Sequence, residues 1–272
     1  VKTINKISLS ASILALAASG VQAQQTISGW GADSGAVSGV SLTDNGNGNF
    51  VASGTPSGNA DFRADLPSAV TLTAGETLTL SGSMTITSGS MGGGVFRIGL
   101  LDYSSLGTLG SGQWSTSTTA TGYWWGLPTG GSGVSNPGGG EITGKPASAG
   151  NAWFSGTGGY SVPGTGNNNP NSLTAGTYNF SLALKDNGTS MSVAYSMIGG
   201  SYSETGTVSD STMTVPLSFN AAGFFANGSD TAFASPGVSF GSVSETISTV
   251  PEPGTIALGI TGAAALLFRR RK

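Results

Sequence analysis

The chain has 272 residues, of which 46 are Gly; 8% carry charge and 37% are hydrophobic. Low charge beside an ample apolar fraction excludes wholesale disorder, which needs the opposite balance. Cys and His are absent, which excludes disulfides, thiol nucleophiles, Ser-His and Cys-His machinery and every imidazole or thiolate metal site, and no cofactor is expected.

The formal net charge of −3 hides an asymmetry, because Lys2, Lys6, Arg269, Arg270, Arg271 and Lys272 all lie at the ends. Between residues 24 and 250, Arg63, Arg97, Lys145 and Lys185 stand against twelve carboxylates, a net −8. That segment lacks the basic stripe that displaces counterions from a phosphate backbone, so nucleic acid is excluded as a partner.

Residues 1–23 run from Lys2 and Lys6 through an apolar stretch at 7–18 to Val21 and Ala23, small residues where signal peptidase reads. This order predicts a secretory signal peptide cut after Ala23, with the mature chain starting near Gln24. Residues 24–248 are then long enough for one β-domain with a sizeable core.

Within that domain, residues 44–49 are rich in oxygen ligands, so a Ca²⁺ site is conceivable. Gly46 and Thr55 occupy positions where an EF-hand loop needs ligands, and a tight turn is the simpler reading. Asp61 and Asp65 would share one strand face about 13 Å apart, too far for either glycosidase mechanism. The ordinary role for such an acid is a salt bridge to Arg63 or Arg97.

Period-2 alternation then appears in Leu78, Leu80, Met84 and Ile86, and in Phe96, Ile98 and Leu100. Both runs predict half-buried strands. Residues 103–172 are rich in Gly, Ser, Thr and Asn and hold four of the five Trp. Flat aromatic faces there could stack on sugar rings, with Trp124, Trp125 and Trp153 as glycan contacts; alternatively Trp124 and Trp153 fill the core or cap a sheet edge. Since successive strand residues face opposite ways, at most one of Trp124 and Trp125 is expected to be buried. Residues 139–146 match a P-loop until Pro146 replaces the Ser or Thr that binds Mg²⁺, and they read as a plain loop.

Residues 178–197 alternate on both sides of Asn187 and Gly188, the favoured type I′ hairpin pair. Folding about it sets Leu184 opposite Met191 and Phe180 opposite Tyr195, with all apolar positions on one face. Val238 and Phe240 are in phase, whereas Val243 and Ile247 are shifted by one, as a β-bulge near Gly241 and Ser242 would cause. Many antiparallel strands at this length predict an all-β antiparallel sandwich, most simply a jelly roll. The runs at 95–102 and 238–243 resemble core strands of concanavalin A-like and laminin G-like jelly rolls, and the resemblance implies a glycan-binding architecture without identifying a binding residue.

Residues 249–272 contain Pro251, Glu252 and Pro253, an apolar segment at 256–268, and a terminal cluster of Arg269, Arg270, Arg271 and Lys272. As a helix the apolar segment spans about 20 Å, short of the roughly 30 Å hydrocarbon core, a gap that snorkelling Arg and local thinning would close. The cations would hold the terminus in the cytoplasm and place the Pro-Glu-Pro at the outer side of the inner membrane. This order resembles the PEP-CTERM sorting signal of Gram-negative bacteria, with Gly254 where that family usually has Ser or Ala. The resemblance implies recognition by an exosortase, a membrane-embedded cysteine transpeptidase, and release or attachment at the cell surface. An ordinary C-terminal membrane anchor is the alternative.

Taken together, these features predict an exported, non-enzymatic surface or matrix protein. A carbohydrate-binding module for exopolysaccharide is the alternative, followed by a glycoside hydrolase or lyase built from acids distant in sequence.

Overall fold

The computed structural model describes residues 20–21, 23–32, 39–54, 60–91, 95–102, 120–128, 141–146, 160–162, 172–200, 202–212, 214–215, 217–226 and 231–249. Their strands are β1 (Gly20–Val21), β2 (Gln25–Thr26), β3 (Gly31–Ala32), β4 (Val40–Gly46), β5 (Asn49–Gly54), β6 (Ala60–Thr71), β7 (Glu76–Met91) and β8 (Val95–Asp102). After them come β9 (Thr121–Pro128), β10 (Glu141–Lys145), β11 (Tyr160–Ser161), β12 (Leu173–Asp186), β13 (Met191–Gly199), β14 (Tyr202–Asp210), β15 (Ser218–Ala226) and β16 (Val238–Thr249). A 3-10 turn, Thr231–Phe233, precedes β16. Among the described residues no helix is long and apolar enough to cross a membrane; the segment at 256–268 lies outside them.

The strands form two antiparallel sheets. One has nine strands, in the order β14-β13-β12-β7-β16-β5-β4 with β1 and β2 also on β16; the other has seven, in the order β11-β10-β9-β8-β15-β6-β3. From β5 to β8 the chain alternates between the sheets, then it meanders within one sheet from β8 to β11 and within the other from β12 to β14, and β15 to β16 crosses again. The fold is an all-β jelly-roll sandwich, the class that the alternation predicts.

The predicted apolar positions fill the space between the sheets. Leu78, Leu80, Met84 and Ile86 on β7, and Phe96, Ile98 and Leu100 on β8, are buried there. An aromatic spine runs through the centre: Trp30 stacks on Phe50 at 4.5 Å and Phe50 on Phe240 at 4.4 Å, with Phe224 4.8 Å from Phe240. Such pairs contribute about 0.5–1.5 kcal/mol each beyond the area they bury. Gly82 makes room for this packing, since a Cβ there would lie 2.8 Å from Phe180 Cζ.

The bulge on β16 is present, with its register shifting between Gly241 and Ser244 and Ser242 at a φ of 53°. Its irregular backbone receives the β4–β5 turn: the Val243 amide donates to the Gly48 carbonyl at 2.9 Å, and the Ser242 amide to Asn49 Oδ1 at 3.2 Å. That turn, Asn47 and Gly48, has positive φ at both positions, which is type I′ geometry.

The hairpin at 178–197 forms, but with a different register. Leu184 opposes Val193, Leu182 opposes Tyr195 and Phe180 opposes Met197, a slip of two residues from the expected pairing. Asp186 remains in the strand opposite Met191, its Oδ1 accepts the Gly188 amide at 2.6 Å, and the Asn187 amide donates to the Ser190 carbonyl at 2.9 Å. The connection is therefore a four-residue loop, and Gly188 alone has positive φ, 82°. An even slip keeps every side chain on its face, so the core is the predicted one. Gly188→Val should cost about 1–3 kcal/mol, because a β-branched residue is strained at that torsion. The denaturation midpoint reads this directly, and an unchanged midpoint would contradict the loop geometry.

Candidate functional site

Three of the chain's cations and one carboxylate converge on the face of the seven-stranded sheet that points away from the sandwich interior. Register sets them in rows. Asp61, Phe225, Arg97 and Gly126 lie across β6, β15, β8 and β9. The next row holds Arg63, Gly223, Gly99, Trp124 and Thr143, and a third ends in Leu101, Gly122 and Lys145. Three of the four cations between residues 24 and 250 thus share one face, although they are far apart in sequence.

All of these groups are buried. Arg63, Arg97 and Lys145 expose 3%, 8% and 1% of their surface. The Arg97 guanidinium lies 4.7 Å over the Phe225 ring, an attraction worth more when desolvated. Burial lowers the Arg97 pKa to about 10, partly offset by the Asp61 carboxylate, which is the expected role for that acid. The Lys145 ammonium donates to the Ala120 carbonyl at 2.7 Å, and burial lowers its pKa to about 8. Residues 141–145, expected in a loop, are strand β10, and their lysine is held inside the protein rather than presented to a phosphate.

The glycan-contact expectation for Trp124 and Trp125 does not hold, because both rings are buried. They do face opposite ways: Trp125 lies in the core with its ring 4.7 Å from Tyr195, whereas Trp124 joins Leu101, Ala120, Ala221 and Phe225 on the other face. The expectation that only one would be buried assumed one wet face. This sheet is covered on both, so alternation no longer separates inside from outside. Trp153, and the sorting positions Pro251, Glu252, Pro253, Arg269, Arg270 and Arg271, lie outside the described residues. Ala23 is exposed, between β1 and β2. In the uncleaved chain Gly20 and Val21 pair with Thr249 and Ser248, and Gln24 Nε2 donates to Ser244 Oγ.

Further acids point into the sandwich. On β14, Glu204 accepts from Tyr202 Oη at 2.6 Å, and Asp210 accepts from Tyr123 Oη at 2.7 Å. Burial raises the Glu204 pKa, and burial plus Glu204 raise those of Tyr202 and Tyr195. Glu204 and Asp210, six residues apart on one strand face, stand about 20 Å from each other. Glu245 lies four strands away on β16, at a similar distance from Glu204. These separations exceed both glycosidase spacings.

Asp44, the first ligand of the conceivable Ca²⁺ loop, already serves the backbone. Its Oδ2 accepts from the Gly29 and Trp30 amides at 2.8 and 3.1 Å, and its Oδ1 from the Gly46 amide at 2.9 Å. Among the described residues no three acidic side chains gather as a metal site. A shallow groove of about 550 Å³ beside β4 is lined by Val40, Ser41, Ser53, Gly54, Ala234 and Ser235, with no titratable side chain in that set.

No protein-family model matches the chain, and no curated protein matches it. Solved structures with a similar layout include lectin UEA-II complexed with galactose, at 10% identity and a TM-score of 0.42, covering 82% of this chain and 95% of that one. Basic winged bean lectin with Tn-antigen aligns at 18% identity and 0.41, covering 84% and 96%. Peanut lectin with a 9mer peptide aligns at 13% and 0.40, covering 81% and 90%. These likenesses extend to the two-sheet layout and bring no ligand to this chain.

Proposed function

We propose that this chain is an exported, non-catalytic β-sandwich. Signal peptidase trims it at Ala23, and an exosortase acts on its tail and delivers it to the cell surface or extracellular matrix of a Gram-negative bacterium. There it serves as a structural component. The observation that carries the structural reading is burial: Trp124, Trp125, Arg63, Arg97 and Lys145, the side chains best suited to grip a ligand, are all consumed in packing. The destination is supported by the order of Pro251, Glu252 and Pro253, the apolar segment and the terminal cations.

These parts have separable physical roles, so they should fail separately. Pro251→Ala with Glu252→Ala leaves insertion energetics intact, and the precursor should accumulate in the inner membrane with its signal peptide removed and its tail uncut. Replacing Arg269, Arg270, Arg271 and Lys272 with Ser removes the charges that hold the terminus in the cytoplasm, and that variant should slip through and escape processing. Fractionation and immunoblotting distinguish the two defects. Normal surface delivery of both variants would refute the sorting role.

A further inference from the structure

After Phe240, β16 loses β5 as its neighbour and is flanked instead by the N-terminal segment. The Ile27 amide donates to the Val243 carbonyl at 3.0 Å, Thr26 and Gln25 pair with Ser244 and Glu245, and Gln24 Nε2 donates to Ser244 Oγ. Val243, Glu245 and Ile247 alternate toward the sandwich interior, so Gln25 lies beside an inward-facing acid. Glu245 is 1% exposed, and neither of its carboxylate oxygens has a hydrogen-bond partner. A buried carboxylate in this state is costly unless a cation or donors meet it.

Among the described residues no basic side chain faces it. Arg63, Arg97 and Lys145 lie on the far face of the other sheet, and Lys185, between the inward Leu184 and Asp186, points outward from β12. The cut expected after Ala23 supplies a cation. It leaves Gln24 with a free α-amino group, protonated at neutral pH, one residue from the cross-strand partner of Glu245. Strand spacing puts the Gln24 Cα about 6 Å from the Glu245 Cα, within reach of a glutamate side chain. Loss of the peptide bond to Ala23 also frees this nitrogen to turn toward the carboxylate.

We infer that the α-ammonium group of Gln24 in the mature chain pairs with the Glu245 carboxylate, so that removal of the leader completes an ion pair that the precursor lacks and fixes the new N-terminus to β16. Before the cut Glu245 is unpaired, and replacing it is favourable; after the cut the same replacement removes a partner. The pairing also protects the terminus. An N-terminal Gln cyclises when its neutral amine attacks the side-chain Cδ: the N–Cδ bond forms, the Cδ–Nε2 bond breaks, and ammonia leaves with the amine proton. An ammonium held by Glu245 has no lone pair for that attack. This inference rests on the reading that the mature chain begins at Gln24.

The test uses the full chain with a protease recognition sequence inserted between Ala23 and Gln24, made by cell-free synthesis without membranes and cut in vitro so that Gln24 becomes the first residue. Near neutral pH, cutting should raise the wild-type melting temperature by about 5 °C more than that of Glu245→Gln. Intact mass spectrometry should show the new terminus losing ammonia about tenfold more slowly in the wild type than in Glu245→Gln. Gln24→Ala keeps the ammonium and should keep the extra rise. If Glu245→Gln does not fold, the wild type decides alone: converting its terminus to the lactam with a glutaminyl cyclase removes the charge and should erase the gain. An equal rise in wild type and Glu245→Gln, equal cyclisation rates, or a lactam form as stable as the amine form would each overturn the pairing. The protease makes this terminus whether or not signal peptidase does, so an exported chain that begins elsewhere would refute the leader reading separately.

Discussion

Trp124→Ala and Trp125→Ala should each destabilise the protein by about 3–5 kcal/mol, the range for truncating a buried Trp. For a domain of this length that is a fall of roughly 10 °C in melting temperature. The two losses have different origins. Trp125 fills the space between the sheets and packs on Tyr195, whereas Trp124 holds the second apolar cluster with Leu101 and Phe225 on the other side of the same strand. Trp125→Phe should be much milder than Trp125→Ala, because the Trp125 indole Nε1 is buried without a hydrogen-bond partner and Phe removes that desolvated donor while keeping a ring. If either Ala variant kept the wild-type melting temperature and lost a ligand, that Trp would be a surface contact after all.

Glu245 should make stability fall with pH across the acidic to neutral range. Its side chain points between the sheets, in register with Leu80 and Gln25, and both carboxylate oxygens lack a hydrogen-bond partner. Burial raises its pKa to about 7. The folded protein therefore holds a proton that the unfolded chain releases near its ordinary value. The stabilisation is fully present below about pH 4.5 and is lost as pH rises through about 7. Glu245→Gln should flatten this slope and raise stability at pH 8 by about 2 kcal/mol, allowing for partial screening. Glu204 shifts in the same direction and leaves a residual slope. Urea denaturation at pH 5 and pH 8 measures the difference; equal pH dependence in variant and wild type would mean that Glu245 is not buried as an acid.

How much the sequence reveals depends on which physical rule each feature obeys. The strands at 78–86, 96–100 and 178–197 and the bulge before Val243 are legible, because one buried face imprints a period of two and an extra residue resets its phase. The hairpin register is not, since a slip of two residues leaves that period unchanged. Asn187 and Gly188 are the favoured type I′ pair by sequence, yet both-positive φ occurs at Asn47 and Gly48, whereas residues 187–190 form a four-residue loop in which the Asp186 carboxylate accepts from the Gly188 amide. Glu245 could have been read, as the shifted phase that sends Val243 and Ile247 inward sends the residue between them inward too. The gathering of Arg63, Arg97 and Lys145 could not, because it depends on the order in which β6, β8 and β10 are placed in a sheet.

The central claim is that both ends are removed on the way to the surface, leaving the sandwich as the delivered protein. Intact mass spectrometry of the wild-type protein recovered from each of two hosts, one with an exosortase and one without, tests it most directly. In the first host the chain should begin at Gln24 and end near Pro253; in the second it should begin at Gln24 and retain its tail. A surface-delivered chain that still ends at Lys272 in the exosortase host would contradict the account.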